Sequence, residues 1–177
     1  WISFWAQLAL TSVAAVILLF SVGVTSGGTL AVSGLDFCTL AAVVCGVVAT
    51  GLSWTWIRAG RRLSALQDVR VQACLGTVLA SVNVNLVGLG AAVLGLQATT
   101  GALVAKTLSA AAGGYQMAAR GAPPPVAFDV FGVQALANTI MAHFVGLVLA
   151  QWLLRQLQKY LANDDYANSS APPAPAG

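Results

Sequence analysis

Four stretches of this chain, Phe4–Val24, Phe37–Ile57, Val78–Val104 and Val126–Leu154, are apolar over the length needed to cross a bilayer. About 20 such residues span roughly 30 Å of hydrocarbon. Hydrocarbon offers no water to backbone N–H and C=O groups, so each stretch can only be a helix that satisfies its own backbone. The expected fold is therefore all-α, a polytopic integral membrane protein of four transmembrane helices in a bundle. Composition agrees: 58% of the residues are hydrophobic and only 7% are charged, whereas soluble domains carry about a quarter charged residues.

The expected organisation is a transmembrane domain over residues 1–162 and a flexible Ala/Pro-rich tail over 163–177. The chain starts on Trp1 with no charged segment before the first apolar run, so Phe4–Val24 does not have the pattern of a signal peptide. A removed organelle-targeting (transit) peptide fits that start. The three cysteines, Cys38, Cys45 and Cys74, lie in or beside apolar runs without a CxxC pair, and are expected to act as small packing residues.

Charge and aromatic placement set the expected topology. With four spans, both termini and the central loop share one side, which holds Arg58, Arg61, Arg62, Arg70, Arg155 and Lys159. The other side holds only Lys106 and Arg120, so the arginine-rich side is the cytoplasmic one or its organellar equivalent. All five tryptophans, Trp1, Trp5, Trp54, Trp56 and Trp152, fall at that same surface, where an apolar ring with a polar N–H is best placed. Within the basic loop, Leu63, Leu66 and Val69 recur at three-residue spacing. Part of Ala59–Val71 is thus expected either as an amphipathic helix in the interface or as a solvated connector.

The third span is rich in small residues. Gly88 and Ala92, and Ala91 and Gly95, are four apart, the spacing that lets helix backbones approach closely in lipid. Packing and a pore-lining groove are both open on this pattern. Asn83 and Asn85 point to different sides of the helix, and Gln97 returns to the face of Asn83 about 21 Å along the axis. Such amides serve as interhelical hydrogen bonds or as a polar path.

The fourth span carries Asp129, Gln134, Asn138, His143 and Gln151 inside an apolar run. Each needs a partner, a cavity or a helix end near water. The run Pro123–Pro125 sets the start of the helix, so Asp129 lies in or near the first turn, where the macrodipole favours a carboxylate. Gln134 and Asn138 share a face. Asp129 and His143 are fourteen residues apart, about 21 Å, and cannot hold one ion within this helix. His143 has three open readings: a hydrogen bond to a neighbouring helix, an ion-coordinating or transport residue, or an axial ligand to a pigment metal such as that of chlorophyll. Gly146 beside it leaves room for a flat macrocycle or for another helix.

No GxSxG, GxxxxGK[ST] or HExxH motif occurs, and there is a single histidine, so an enzyme is not expected. Nothing points to nucleic acid; the expected partners are membrane lipids and other membrane subunits or further copies of the chain.

The segments FWAQLALTSVAAVILLFSV (Phe4–Val22), NLVGLGAAVLGLQATTGALVAKTL (Asn85–Leu108) and FDVFGVQALANTIMAHFVGL (Phe128–Leu147) resemble a family of four-helix proteins of the chloroplast inner envelope, the "permease in chloroplasts" or Tic twenty-one family, with cyanobacterial relatives. The resemblance implies a plastid multi-pass protein, in the inner envelope or alternatively the thylakoid, with the arginine-rich side in the stroma. It further implies a role in iron (metal-ion) transport, in protein import, or in both. The alternative is a non-catalytic scaffold subunit of a larger assembly such as a photosynthetic supercomplex, with chlorophyll as a ligand of His143. The candidates for a transport or polar seam are Asn85, Gln97, Asp129, Gln134, Asn138 and His143, with His143 and Asp129 the candidates for a metal. One carboxylate is few for a hard-cation path.

Overall fold

In the computed structural model, residues 1–25, 34–64, 71–112 and 126–169 are described, with side-chain surroundings at 1–20, 37–62, 72–109, 111 and 130–163. Each apolar stretch forms one helix: α1 (Ile2–Thr25), α2 (Gly34–Ser64), α3 (Val71–Ala112) and α4 (Val126–Ser169). All four are long and apolar enough to cross a membrane. At 1.5 Å per residue, α1 is about 36 Å long and just spans, whereas α3 and α4 reach about 63 and 66 Å and project beyond the hydrocarbon.

Neighbouring contacts run α1 to α2, α2 to α3, α3 to α4 and α4 to α1, with a lesser approach of α2 to α4 across the diagonal. Among the described residues α1 and α3 occupy opposite corners. The registers are antiparallel. Gly88 faces the His143 ring, Gly95 faces Leu136 and Gly132 faces Thr99, so every advance along α3 is matched by an equal retreat along α4. Gly88 likewise lies against Cys45, and Gly95 against Cys38 and Thr39, which fixes α2 beside α3.

Two expectations change here. Ala59–Ser64 continue α2 as its last turns rather than turning into the interface, and Val71 already begins α3; residues 65–70, including Arg70, lie outside the described residues. A helix that is already nucleated adds a turn at little cost, and this one carries its basic residues Arg61 and Arg62 in its last turn, where they complement the macrodipole. The same propagation carries α4 through Asn163–Ser169, into the segment expected to be extended; residues 170–177 are outside the described residues.

Polarity is distributed the opposite way from a soluble protein. Val16, Leu19, Phe37, Val47, Leu86, Leu94, Phe144 and Val148 are exposed, while Gln7, Ser53, Ser81, Asn85, Thr139 and His143 are 0–1% exposed. Exposed apolar side chains on every face suit lipid as the solvent, and buried polar ones then find their partners inside the bundle. The apolar core is mostly alanine around Leu136: Ala42 and Ala92, with Ala91, Leu96 and Ile140 packed on it. Small residues bring the backbones close enough for side chains of three or four helices to meet.

One end of the bundle is aromatic and basic. Trp1 stacks edge-on to Trp54 at 6.2 Å, and Phe4 lies 5.3 Å from Trp54. Arg58 sits over the Trp54 ring at 5.7 Å and Arg61 over the Trp1 ring at 4.9 Å, contacts worth about 0.5–1 kcal/mol each at exposed sites. The start of α1, the end of α2 and the Trp152 region of α4 meet around one cavity there. Trp152 and Gln134 each lie nine residues from His143 on α4, about 13.5 Å along the axis in opposite directions. His143 thus lies about 13.5 Å along α4 from the tryptophan belt, close to the middle of a hydrocarbon layer about 30 Å thick.

Candidate functional site

His143 is 1% exposed and contacts two neighbouring helices. Its Nε2 is 3.0 Å from the Ala42 carbonyl of α2, and its Nδ1 is 3.2 Å from Oδ1 of Asn85 on α3. The ring lies against Gly88, where any side chain would collide with it. Asn85 is itself held: its Nδ2 donates to the Ser81 carbonyl at 2.9 Å and to Ser81 Oγ at 3.3 Å, which leaves Oδ1 turned to the imidazole. Both ring nitrogens therefore face acceptor oxygens. A neutral imidazole has one N–H and donates to one of them at a time, and an imidazolium donates to both.

From His143 a set of polar groups leads toward the tryptophan end. Gly146, one turn along α4, makes room for the Gln7 amide of α1, with Asn85 Oδ1 2.6 Å from where a Cβ on Gly146 would stand. Gln7 Oε1 accepts a hydrogen bond from Ser53 Oγ at 3.1 Å, and Ser53 Oγ is 3.4 Å from Ser3 Oγ. Ser3 and Ser53 line the cavity at the aromatic end. Gln7 Nε2 is buried and has no hydrogen-bond partner. The column thus runs Ser3, Ser53, Gln7, Asn85, His143, and stops at the midplane. Beyond it, the Ala42, Ala92, Leu136 core closes the bundle, and the Thr139 hydroxyl there is satisfied by its own helix at the Ala135 carbonyl.

The structure divides the sequence candidates. Asn85 and His143 are brought together. Gln97 and Gln134 are exposed, level with each other on adjacent helices by the α3–α4 register, and Gln134 Nε2 reaches Asn138 Oδ1 at 3.5 Å on the outer surface. These three do not join the buried column: Gln97 and Gln134 sit on outward sectors of α3 and α4, and the half-buried Asn138 has Gln134 as its partner. Asp129 lies near the start of α4, and its side chain is outside the described residues. Of the packing candidates, Gly88, Gly95 and Ala92 are buried at helix contacts and Ala91 is half-buried beside them. Cys38, Cys45 and Cys74 are free and partly buried.

Gln7, Ser53 and Ser81 complete the site and were not among the sequence candidates. Gln7 offered the clearer signal, as an amide within the apolar run that opens the chain. The two serines offered none, since Ser is common in spans as a packing residue.

The arrangement bears on what could bind. Both His143 nitrogens face oxygens and the space over Gly146 holds Gln7, so these residues do not fit axial ligation of a flat macrocycle. Among the described residues no group of three or more His, Cys, Asp or Glu side chains could hold a metal ion.

A family described as "Protein of unknown function (DUF3611)" matches residues 1–158. The chain belongs to that family. It is also 40% identical over 163 residues to "Protein TIC 21, chloroplastic" of Arabidopsis thaliana, an alignment covering 88% of this chain and 54% of that protein. The chain thus spans about half the length of the relative it matches, and the Tic twenty-one resemblance read from its spans holds. It is a multi-pass membrane protein of the chloroplast. No solved structure matches it.

Proposed function

We propose that the chain is a membrane-embedded subunit of the protein-import machinery in the chloroplast inner envelope, with its arginine-rich end in the stroma. The name of the Arabidopsis relative supports the setting. The observation that carries the reading is the closed midplane: His143 of α4 bridges Asn85 of α3 and the Ala42 carbonyl of α2. A bundle tied together at that depth works as a packed unit within an assembly, its long α3 and α4 projecting past the bilayer on both sides. The import role predicts that chloroplasts depleted of the chain accumulate a labelled precursor at the envelope and that re-expression restores its entry. The same complex should be recovered at fixed stoichiometry after mild detergent extraction. Normal import in depleted plastids, with the protein recovered free and monodisperse, would refute it.

A second reading, permeation of iron, draws on the polar column from the aromatic end to His143. It offers hydroxyls, amides and one imidazole, a donor set that is poor in carboxylates for a hard cation. Reconstituted vesicles that take up ferrous iron, with uptake lost in His143→Ala, would favour it; uptake equal to that of empty vesicles would remove it.

A further inference from the structure

The four helices present different surfaces to the surrounding lipid. Bulky apolar side chains face outward on three of them, with Leu19 and Phe20 on α1, Phe37 and Val47 on α2, and Phe144 and Val148 on α4. One outward row of α3 has another character. Ala80, Asn83, Val87, Gly90, Leu94 and Gln97 are all exposed and follow one another at alternating intervals of three and four residues. Gly76 and Gly101 extend the row at its two ends. Side chains at that spacing stand in one line along a helix, the line against which a parallel helix packs.

Nothing within the chain uses this row. A Cβ at Gly76, Gly90 or Gly101 would meet nothing within 4 Å, whereas Gly88 and Gly95 of the same helix receive His143 and Leu136. Glycine weakens a helix relative to alanine, and here the bundle gains no close approach from it. The amides weigh more than the small residues. Neither Asn83 nor Gln97 makes a hydrogen bond among the described residues. Gly88 lies at the level of His143, so Asn83 stands about 7.5 Å from that level toward the tryptophan belt, and Gln97 about 13.5 Å from it on the other side. The belt itself is about 13.5 Å from His143. Both amides thus fall within a hydrocarbon layer about 30 Å thick, where lipid offers neither a donor nor an acceptor.

The heights of these amides select the occupant. Copies of one chain enter the membrane in a single orientation, so a two-fold axis along the membrane normal brings identical residues together at identical depth. An amide is its own complement, because it carries both donors and an acceptor. We infer that this row is the interface of a homodimer, in which α3 packs in parallel against α3 of a second copy. Each Asn83 and each Gln97 exchanges hydrogen bonds with its twin, and Gly90 between them lets the two backbones close. Leu79, Leu86 and Val93, exposed beside the row, cover its flank. Two amide pairs at separate heights also fix a single register, as a polar residue does in the seam of a coiled coil. An acyl chain brings an amide to neither height, and a second copy brings one to each. This inference does not depend on the import role.

The test uses the full chain, purified in neutral detergent and reconstituted in phosphatidylcholine vesicles, half of it labelled at the N-terminus with a donor fluorophore and half with an acceptor. Energy transfer is followed as the protein-to-lipid ratio is lowered, and it should report a dimer, rising linearly with the fraction of acceptor. Asn83→Leu and Gln97→Leu should each weaken association by about tenfold, through the loss of two interhelical hydrogen bonds per dimer. Gly90→Leu, which holds the backbones apart, should abolish it. Gly51→Leu, at an exposed glycine of α2 that also has nothing within 4 Å, should leave it unchanged. A chain that stays monomeric at every protein-to-lipid ratio overturns the inference. So does full association in both amide variants, and so does an equal loss in Gly51→Leu, which would place the contact elsewhere. Far-ultraviolet circular dichroism checks that each variant is folded; should Gly90→Leu fail to fold, the two amide variants decide, since their exposed side chains are not required for packing within the chain.

Discussion

Glycines that look alike in the sequence differ sharply in what surrounds them, and Gly88→Ala measures that difference. A Cβ at Gly88 would fall on the Cε1 and Nε2 atoms of His143 and 2.8 Å from Cys45 Cβ, whereas a Cβ at Gly90 would meet nothing within 4 Å. The Cys45 Cβ is fixed by its backbone and cannot swing away. The His143 ring must then leave both the Asn85 oxygen and the Ala42 carbonyl. Overpacking costs about 1–3 kcal/mol, and two interhelical hydrogen bonds add about 0.6 kcal/mol each in a membrane. Alanine returns about 1 kcal/mol of helix propensity. Gly88→Ala should therefore destabilise by about 1–3 kcal/mol, while Gly90→Ala should be neutral or stabilise by up to about 1 kcal/mol. Reversible unfolding by SDS in mixed micelles, followed by far-ultraviolet circular dichroism, reads both. Equal stability of the two variants would refute the packing of His143 on Gly88, and with it the geometry of the midplane closure.

Three further outcomes are expected. In a double-mutant cycle, Asn85→Ala and His143→Ala should show a coupling of about 0.5–3 kcal/mol; additive effects would mean that the two side chains do not bond. Gln134→Leu and Gln97→Leu should change the stability of the isolated chain by no more than about 0.5 kcal/mol, since both side chains are exposed, and a larger loss by SDS unfolding would place them inside. With Trp152 as the sole tryptophan, shallow brominated lipids should quench its fluorescence more strongly than deep ones; the reverse order would move the belt away from the interface.

The α3–α4 seam shows how local features and packing differ in what they decide. Small residues at four-residue spacing announced a close helix contact, and Gly88 and Gly95 make one. They could not say which neighbour fills the space, and it is filled by an imidazole at Gly88 and by Leu136 and Thr39 at Gly95. Gly146 invited either a macrocycle or a helix, and receives the amide of Gln7 from the first span.

What the sequence determined by itself is everything that depends on length and hydropathy: four helices, a lipid environment, a tryptophan belt and a basic end, together with the family. Those properties are local, because a helix in hydrocarbon needs only its own backbone bonds and enough apolar side chains. Which polar residues face inward was decided only by the tertiary structure. In a soluble helix the apolar stripe marks the buried side, but here lipid and bundle are both apolar and the stripe carries no direction. Of Asn85, Gln97, Gln134, Asn138 and His143, the packing of four helices selected Asn85 and His143 and joined them to Gln7, Ser53 and Ser81. Gln97 and Gln134 were left exposed on the outer surface, and Asn138 half-buried with Gln134 as its partner.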